Sequence, residues 1–346
     1  VKSDMIEIDG SHGEAGGQIL RTALSLSCVL GKPFRMFNIR KGRSKPGLMS
    51  QHLMCVRALA QICSASVRGD EVGSTELIFT PSRPNPGEYE FDIGTAGSTS
   101  LLFQALLPPL VFAGKNSSIA LTGGTHVPFS PPFHYISEVF VPTLRSLGVG
   151  LDISAERFGF YPKGGGKIRI GIRPSRGVKA GSLLTRGGIG RLTGISGVVN
   201  LPLSIAERQK SAAGELLSSN GLYAKIDLLS AEGIGRGTFV FLKTETEGCM
   251  AGFSALGERG KRAETVGREA AEELISYYYA DACLDHHLAD QIVLYLAFAD
   301  GPSSFTTSRI TGHLLTNLWA IEKFTGLRYS VEGEKGKPGK VSMSLG

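Results

Sequence analysis

Four polar residues interrupt a hydrophobic segment near the start of the chain: Glu14, Gln18, Arg21 and Ser25, spaced 4, 3 and 4 apart. Helical geometry puts that spacing on one face. A solvated stripe would look the same. Here, however, the stripe follows SHGEAGG, a glycine-rich lead into a helix that lets phosphate oxygens approach backbone N–H groups. Beside such a site Glu14 could hold Mg²⁺ or Mn²⁺, and Arg21 could pair with phosphate. Arg40, Lys41, Arg43 and Lys45 crowd into IRKGRSKPGLMSQ, a loop by its Gly and Pro content. That loop is either a solvated basic turn or a clamp in which guanidinium forks meet phosphate oxygens.

A histidine, His313, opens the apolar stretch ITGHLLTNLWAIEKFTG. Thr311 can cap a helix there, Leu314, Leu315, Leu318, Trp319 and Ile321 supply its buried face, and Gly326 suits its C-terminal end. In a first helical turn the unpaired N–H groups and the dipole disfavour imidazolium. A neutral ring at His313 can serve as nucleophile, base, metal ligand or packing residue, and spacing does not choose among them.

Other candidates are weaker. Gln104 is the strongly polar residue inside the helical run STSLLFQALLPPLVFAG, and THVPFSPPFHY combines His126, Phe129, Pro131 and Tyr135 in a stiff turn suited to a base or sugar face, or simply to packing. DACLDHHLADQ gathers Asp281, Asp285, His286, His287 and Asp290, but a helix spreads these over several faces and the zinc spacing HExxH is absent. His287, Asp290 and Gln291 do share a face. YPKGGGK is not a Walker loop, GIGRLTG misses the dinucleotide spacing, and no GxSxG or kinase set occurs.

The elements that would carry these residues repeat. MIEID, the helix QILRTALSLSCVLG, FRMFNI, the helix QHLMCVRALAQI, ASVRG and TELIFTP read β-α-β-α-β-β. EYEFDI, STSLLFQALLPPLVFAG, SSIALTG, the helix PFHYISEVFVPTLRSLG, LDISAERFGF and KIRIGIRP repeat the order. Gly13 matches Gly94 at an offset of 81 and His52 matches His134 at 82. A third copy runs HHLADQIVLYLAFA, SSFTTSRI, HLLTNLWAIEKF, RYSVEG and KVSMSLG, and its second helix also begins with a histidine, His313. Between 184 and 280 the strands RLTGISGVVNLPL, YAKIDLLS and TFVFLKTE and two amphipathic helices interrupt this third copy. The expected architecture is therefore α/β (α+β): a body of three βαβαββ repeats over 1–183 and 281–346, with a smaller inserted α/β domain over 184–280.

A net charge of +6 favours a polyanionic partner. No apolar run reaches the length of a membrane span, and no basic-then-apolar leader precedes MIEID, so the expectation is a cytoplasmic protein, nucleoplasmic in a eukaryote. The cysteines at 28, 55, 63, 249 and 283 include no CxxC and read as reduced core residues.

Together, DGSHGEAGGQILRTALSLS, IRKGRSKPGLMSQHL, GTAGSTSLLFQALLP, GGTHVPFSPPFHYI, YPKGGGK, HLADQ and HLLTN closely resemble the RNA 3′-terminal phosphate cyclase family over nearly the whole chain. The resemblance implies repeats like the C-terminal domain of translation initiation factor 3, plus an inserted domain. It also implies a ligase-class enzyme that uses ATP to convert the 3′-phosphate of a single-stranded RNA end into a 2′,3′-cyclic phosphodiester. The implied route is three nucleotidyl transfers, through a covalent histidyl-AMP at His313 and an RNA(3′)pp(5′)A intermediate. In this reading Glu14 holds Mg²⁺ or Mn²⁺, Arg21 and Arg43 bind phosphates, and Gln18 assists. Arg40, Gln51 and Gln104 contact nucleotide or RNA, while Phe129, Pro131, Asp290 and Gln291 line the adenosine pocket. Neither a membrane nor an obligate protein partner is implied. An aromatic residue, often tyrosine, commonly precedes LADQ in the family; here it is His287, a weaker stacking group. Two other readings compete: a non-catalytic, cyclase-like RNA-binding factor of ribosome assembly, whose kind lacks the histidine present here as His313, and an enolpyruvyl transferase, which needs six repeats.

Overall fold

The computed structural model describes residues 5–344, so the last two residues of the expected strand KVSMSLG lie outside the described residues. Three four-stranded sheets share one pattern. In the first, β1 (Ile6–Asp9) runs parallel to β2 (Phe34–Phe37), and β4 (Leu77–Thr80) lies antiparallel between β2 and β3 (Ser66–Arg68). β5 (Glu88–Asp92), β6 (Ser117–Gly123), β7 (Leu151–Arg157) and β8 (Gly166–Ile172) repeat that order as β5-β6-β8-β7. In the third, β9 (Ser182–Leu183) pairs parallel with β14 (Ser303–Thr307), followed by β16 (Gly339–Ser344) and β15 (Arg328–Glu332). A fourth sheet, β11-β10-β12-β13, comprises β10 (Ile189–Val199), β11 (Lys225–Ala231), β12 (Gly237–Thr246) and β13 (Met250–Leu256). Against it pack α6 (Leu203–Ser219) and α7 (Ala263–Ala280), which also pack on each other.

The helices of the first three sheets meet one another. α1 (Gly17–Leu30) packs against α2 (Ser50–Cys63), α3 (Thr99–Val111) and α9 (Gly312–Thr325), and α9 also packs against α8 (His286–Leu296). One apolar cluster runs through all of them, including Leu24, Leu59, Phe103, Ile292, Leu318 and Phe324. Their ends are set locally. Thr311 caps α9 by accepting from the Leu314 N–H at 2.9 Å, and Gly326 closes it with φ +72°. Both assignments follow from residue type, because a threonine oxygen replaces a missing acceptor and only glycine enters the left-handed region without a Cβ clash.

Two local readings are corrected. The helical run over 133–146 is not uniform: α4 (Phe133–Tyr135) passes through a π-helical turn, Ile136–Phe140, into α5 (Val141–Ser146). Pro142 there has no N–H to give the carbonyl one turn back, which loosens the ladder. Strand β13 was not anticipated, because its sequence, MAGFSAL, is rich in small residues with weak strand preference. No helix among the described residues is long and apolar enough to cross a membrane.

Candidate active site

The glycine-rich segment 10–17 does not extend α1 upstream. Gly13 and Ala15 adopt φ of +64° and +50°, so the chain turns before Gly17 and Glu14 stands on a loop, not on the helical face of Gln18, Arg21 and Ser25. This turn carries Glu14 across to α9. A Cβ on Gly312 would lie 2.3 Å from Glu14 Oε1, and one on Gly13 would lie 2.2 Å from Thr316 Oγ1. The absence of a Cβ at both glycines lets loop and helix approach this closely without displacing the Glu14 and Thr316 side chains.

At that contact His313 Nδ1 lies 3.0 Å from Glu14 Oε2. A carboxylate this close to Nδ1 favours the tautomer that carries its proton there, with the lone pair on Nε2. Loss of hydration lowers the His313 pKa; Glu14 opposes the shift, and the charges of Arg21 and Arg43 reinforce it. The ring nonetheless remains 46% exposed. An accessible, neutral imidazole with a free Nε2 is a nucleophile in waiting.

The other two helix-start histidines face different surroundings. His52 accepts from the Met49 N–H through Nδ1 at 3.1 Å, capping α2, and burial pushes its pKa down to about 4. His134 is buried, with Nδ1 2.9 Å from His126 Nε2 and its ring 4.7 Å from that of Phe239; burial takes its pKa to about 4 as well. Of the three, only His313 combines exposure with a carboxylate partner.

Arg21 is only 9% exposed, and its Nη2 donates to Gln18 Oε1 at 2.5 Å. Among the described residues no carboxylate lies within ion-pair distance of it, although desolvation alone lowers its pKa. A buried cation without a counter-ion calls for an anion from outside. The start of α1 adds donors, since its N-cap, Gly16, has no side chain to satisfy them. Arg43 Nη2 donates to the Glu14 carbonyl at 2.8 Å, which places its guanidinium at the same loop. Arg40 turns inward, donating to the Lys45 carbonyl at 2.6 Å, and stiffens the basic loop.

His313 and Arg21 face a cleft of about 540 Å³ whose lining also includes Gln18, Gln104, Phe129, Pro131, His287, Asp290 and Gln291; Glu14, Arg40 and Arg43 are not part of that lining. The Nε2 of Gln104 donates to Gln291 Oε1, and Gln291 Nε2 donates to the His287 carbonyl at 2.8 Å. Phe129 is wholly exposed at φ +62°, a conformation a large side chain rarely adopts, and its ring stands free at the rim. Gln51 does not line the cleft; it lies beside Gly97.

Sequence reasoning missed two contributors. Asn317 ties three elements together: its Oδ1 accepts from Thr22 Oγ1 at 2.8 Å, and its Nδ2 donates to the Asp290 carbonyl at 2.7 Å. A buried asparagine inside an apolar helix was the available signal. The second is the far wall, formed by Ser254, Ala255, Leu256, Gly257, Glu258 and Lys261 of the fourth sheet's unit. Asp285 ties that unit to the rest, accepting from Tyr135 Oη at 2.9 Å and from the Gly252 N–H at 3.2 Å. Burial lifts the Asp285 pKa to about 6 and also raises that of Asp290, where Asp285 and Glu14 add repulsion and the Thr311 hydroxyl, which donates to it, opposes the shift.

The profile of the RNA 3′-terminal phosphate cyclase family matches residues 12–331. A protein of Pyrococcus abyssi named RNA 3′-terminal phosphate cyclase is 44% identical, over 98% of each chain. Others so named, from Gloeothece citriformis and Archaeoglobus fulgidus, are 43% and 45% identical, covering 92% and 96% of this chain and 93% and 99% of their own. The EPSP synthase structure of Acinetobacter baumannii overlays 99% of this chain and 65% of its own at a TM-score of 0.32 and 12% identity, a likeness too slight to bear on fold or function.

Proposed function

The chain belongs to the RNA 3′-terminal phosphate cyclase family, and from that membership we propose that it converts RNA 3′-phosphate ends to 2′,3′-cyclic phosphodiesters at the cost of ATP. The observation that carries the mechanism is the 3.0 Å contact of His313 Nδ1 with Glu14, facing a cleft that also holds the unpaired Arg21.

In this reading Nε2 of His313 attacks the α-phosphorus of ATP. The N–P bond forms as the bond to pyrophosphate breaks, and the Nδ1 proton stays on the ring, where Glu14 stabilises the positive charge of the adduct. An oxygen of the RNA 3′-phosphate then attacks the AMP phosphorus, the N–P bond breaks, and His313 leaves as a neutral ring. The vicinal 2′-hydroxyl finally attacks the 3′-phosphorus, losing its proton to solvent and expelling AMP. Each transfer develops negative charge on phosphoryl oxygens, which in this reading Arg21, Arg43 and the open N–H groups of α1 offset. Gln18, Arg40, Gln51 and Gln104 serve as further nucleotide or RNA contacts. His287, Phe129 and Pro131 offer faces to adenine, and Asp290 and Gln291 offer polar partners.

Glu14 suits a divalent cation of the Mg²⁺ or Mn²⁺ kind. Among the described residues no cluster of three or more His, Cys, Asp or Glu builds a full cage, and Mg²⁺ commonly takes one or two carboxylates, waters and nucleotide phosphates. Such an ion would supply charge neutralisation on the ATP phosphates. We also read the three like sheets as copies of one unit, of the translation initiation factor 3 C-terminal type, and 184–280 as a domain inserted into the third; their shared strand order supports this.

Incubation with α-labelled ATP and Mg²⁺ or Mn²⁺, followed by denaturing electrophoresis, tests the reading. Acid-labile, alkali-stable label on the wild type, absent from His313→Ala, is the expected result. A folded wild type that takes no label with either metal would refute it.

A further inference from the structure

The loop that delivers Glu14 to His313 continues along α9 beyond the cleft. Glu14 meets Gly312, Gly13 meets Thr316, and His12 meets Trp319, whose ring centroid lies 4.0 Å from that of His12 at an interplanar angle of 14°. Gly312, Thr316, Trp319 and Lys323 are 4, 3 and 4 residues apart, which is one helical face. Lys323 Nζ lies 5.7 Å from the Trp319 ring centroid. His12 is exposed, and among the described residues no other ring contacts it. The turn holding it is fixed at both ends: the His12 N–H donates to the Asp9 carbonyl at 3.1 Å, and the Ala15 N–H donates to the His12 carbonyl at 3.2 Å. An exposed, pre-positioned imidazole, stacked on an indole beside a lysine, is what a nucleobase binds: a π-face backed by polarisable surface and positive charge.

Its location fits a strand and not the nucleotide cleft. Trp319 is six residues beyond His313, about 9 Å along the helix, and none of His12, Trp319 or Lys323 lines the cleft. We propose that His12, backed by Trp319 and Lys323, is a stacking subsite for a nucleobase of the RNA strand whose terminal phosphate enters at His313. The inference rests on the cyclase reading. A strand leaving the cleft along α9 meets this platform first, with Lys323 near its next phosphate.

The test is equilibrium binding of a 3′-phosphorylated oligoribonucleotide, read by fluorescence anisotropy without ATP, for wild type, His12→Ala and His12→Phe, with thermal unfolding as a check on folding. The same oligomer is also used with a single abasic ribose at each of its last few nucleotides in turn. Expected are an approximately five- to ten-fold loss of affinity in His12→Ala, recovery in His12→Phe, and one abasic position that weakens the wild type but adds nothing to His12→Ala. Equal abasic penalties in wild type and His12→Ala, or a loss in His12→Phe as large as in His12→Ala, would overturn the proposal. Should His12→Ala not fold, wild type with the abasic series decides: the absence of a position-specific penalty overturns it. A wild type that binds with this pattern yet takes no label from ATP would sink the cyclase reading and leave the subsite standing.

Discussion

At the scale of single residues, environment separates groups that sequence makes equivalent. His52, His134 and His313 occupy matching helix starts, yet the first caps its own helix, the second is packed among Phe158, Phe239 and His126, and the third faces Glu14. Because desolvation lowers the His313 pKa and Glu14 raises it, an NMR titration of the His313 ring should give a midpoint below the ordinary 6.5, and lower still in Glu14→Gln. An upward move in Glu14→Gln would contradict the assigned contact. Arg21 separates binding from stability. As a buried cation without a carboxylate partner it does not stabilise the apo fold, so Arg21→Gln should leave thermal stability unchanged or higher while slowing label transfer from ATP by about 10²-fold. A destabilised variant with normal transfer would reverse that reading.

At the scale of elements, the site depends on how closely two of them approach. The loop before α1 and the first turn of α9 touch where Gly13 and Gly312 lack side chains. Gly312→Ala places a methyl on the Glu14 carboxylate, which must swing away from His313. Label transfer should then fall at least about 10-fold, the scale of losing an orienting charged contact, with the helix itself intact by circular dichroism. Unchanged transfer would show that the Glu14 contact is dispensable. Helices, their caps and the line Gln18, Arg21, Ser25 were legible from period and residue type. The departure of Glu14 from that line was not, because Ala15 at φ +50° is a choice made by packing. Strand β13 was equally hidden, since its small residues acquire their meaning from β12 beside it and from Tyr135 and Val139 packed on Gly252.

At the scale of the whole molecule, buried neutral histidines set the pH range of stability. His52 and His134 have folded pKa values of about 4 and His286 of about 2, against 6.5 for the free side chain, so the unfolded chain binds more protons below pH 6.5. Stability contributed by these groups is complete above 6.5 and declines as pH falls towards 4. Asp285, raised to about 6, and Asp290, also raised by burial, work in the opposite sense above 3.8, where the folded state holds the extra protons. The three histidines outnumber these two carboxylates, so Tm should fall between pH 6.5 and 4. A Tm that rises over that interval would show that the carboxylates dominate.

The sequence alone determined what is local or periodic. Helix starts and stops, the recurrence of β-α-β-α-β-β and the family membership all rest on residue types at short or regular spacing, and a chain cannot hide its own periodicity. Only the tertiary structure decided which histidine is exposed, where Arg21 finds no counter-ion, that Asn317 joins three helices, and that residues 254–258 and Lys261 line the same cleft as His313. Each of these joins positions far apart in the chain. Their distance, burial and charge balance arise only when separate elements pack, and neither residue type nor spacing encodes that by itself.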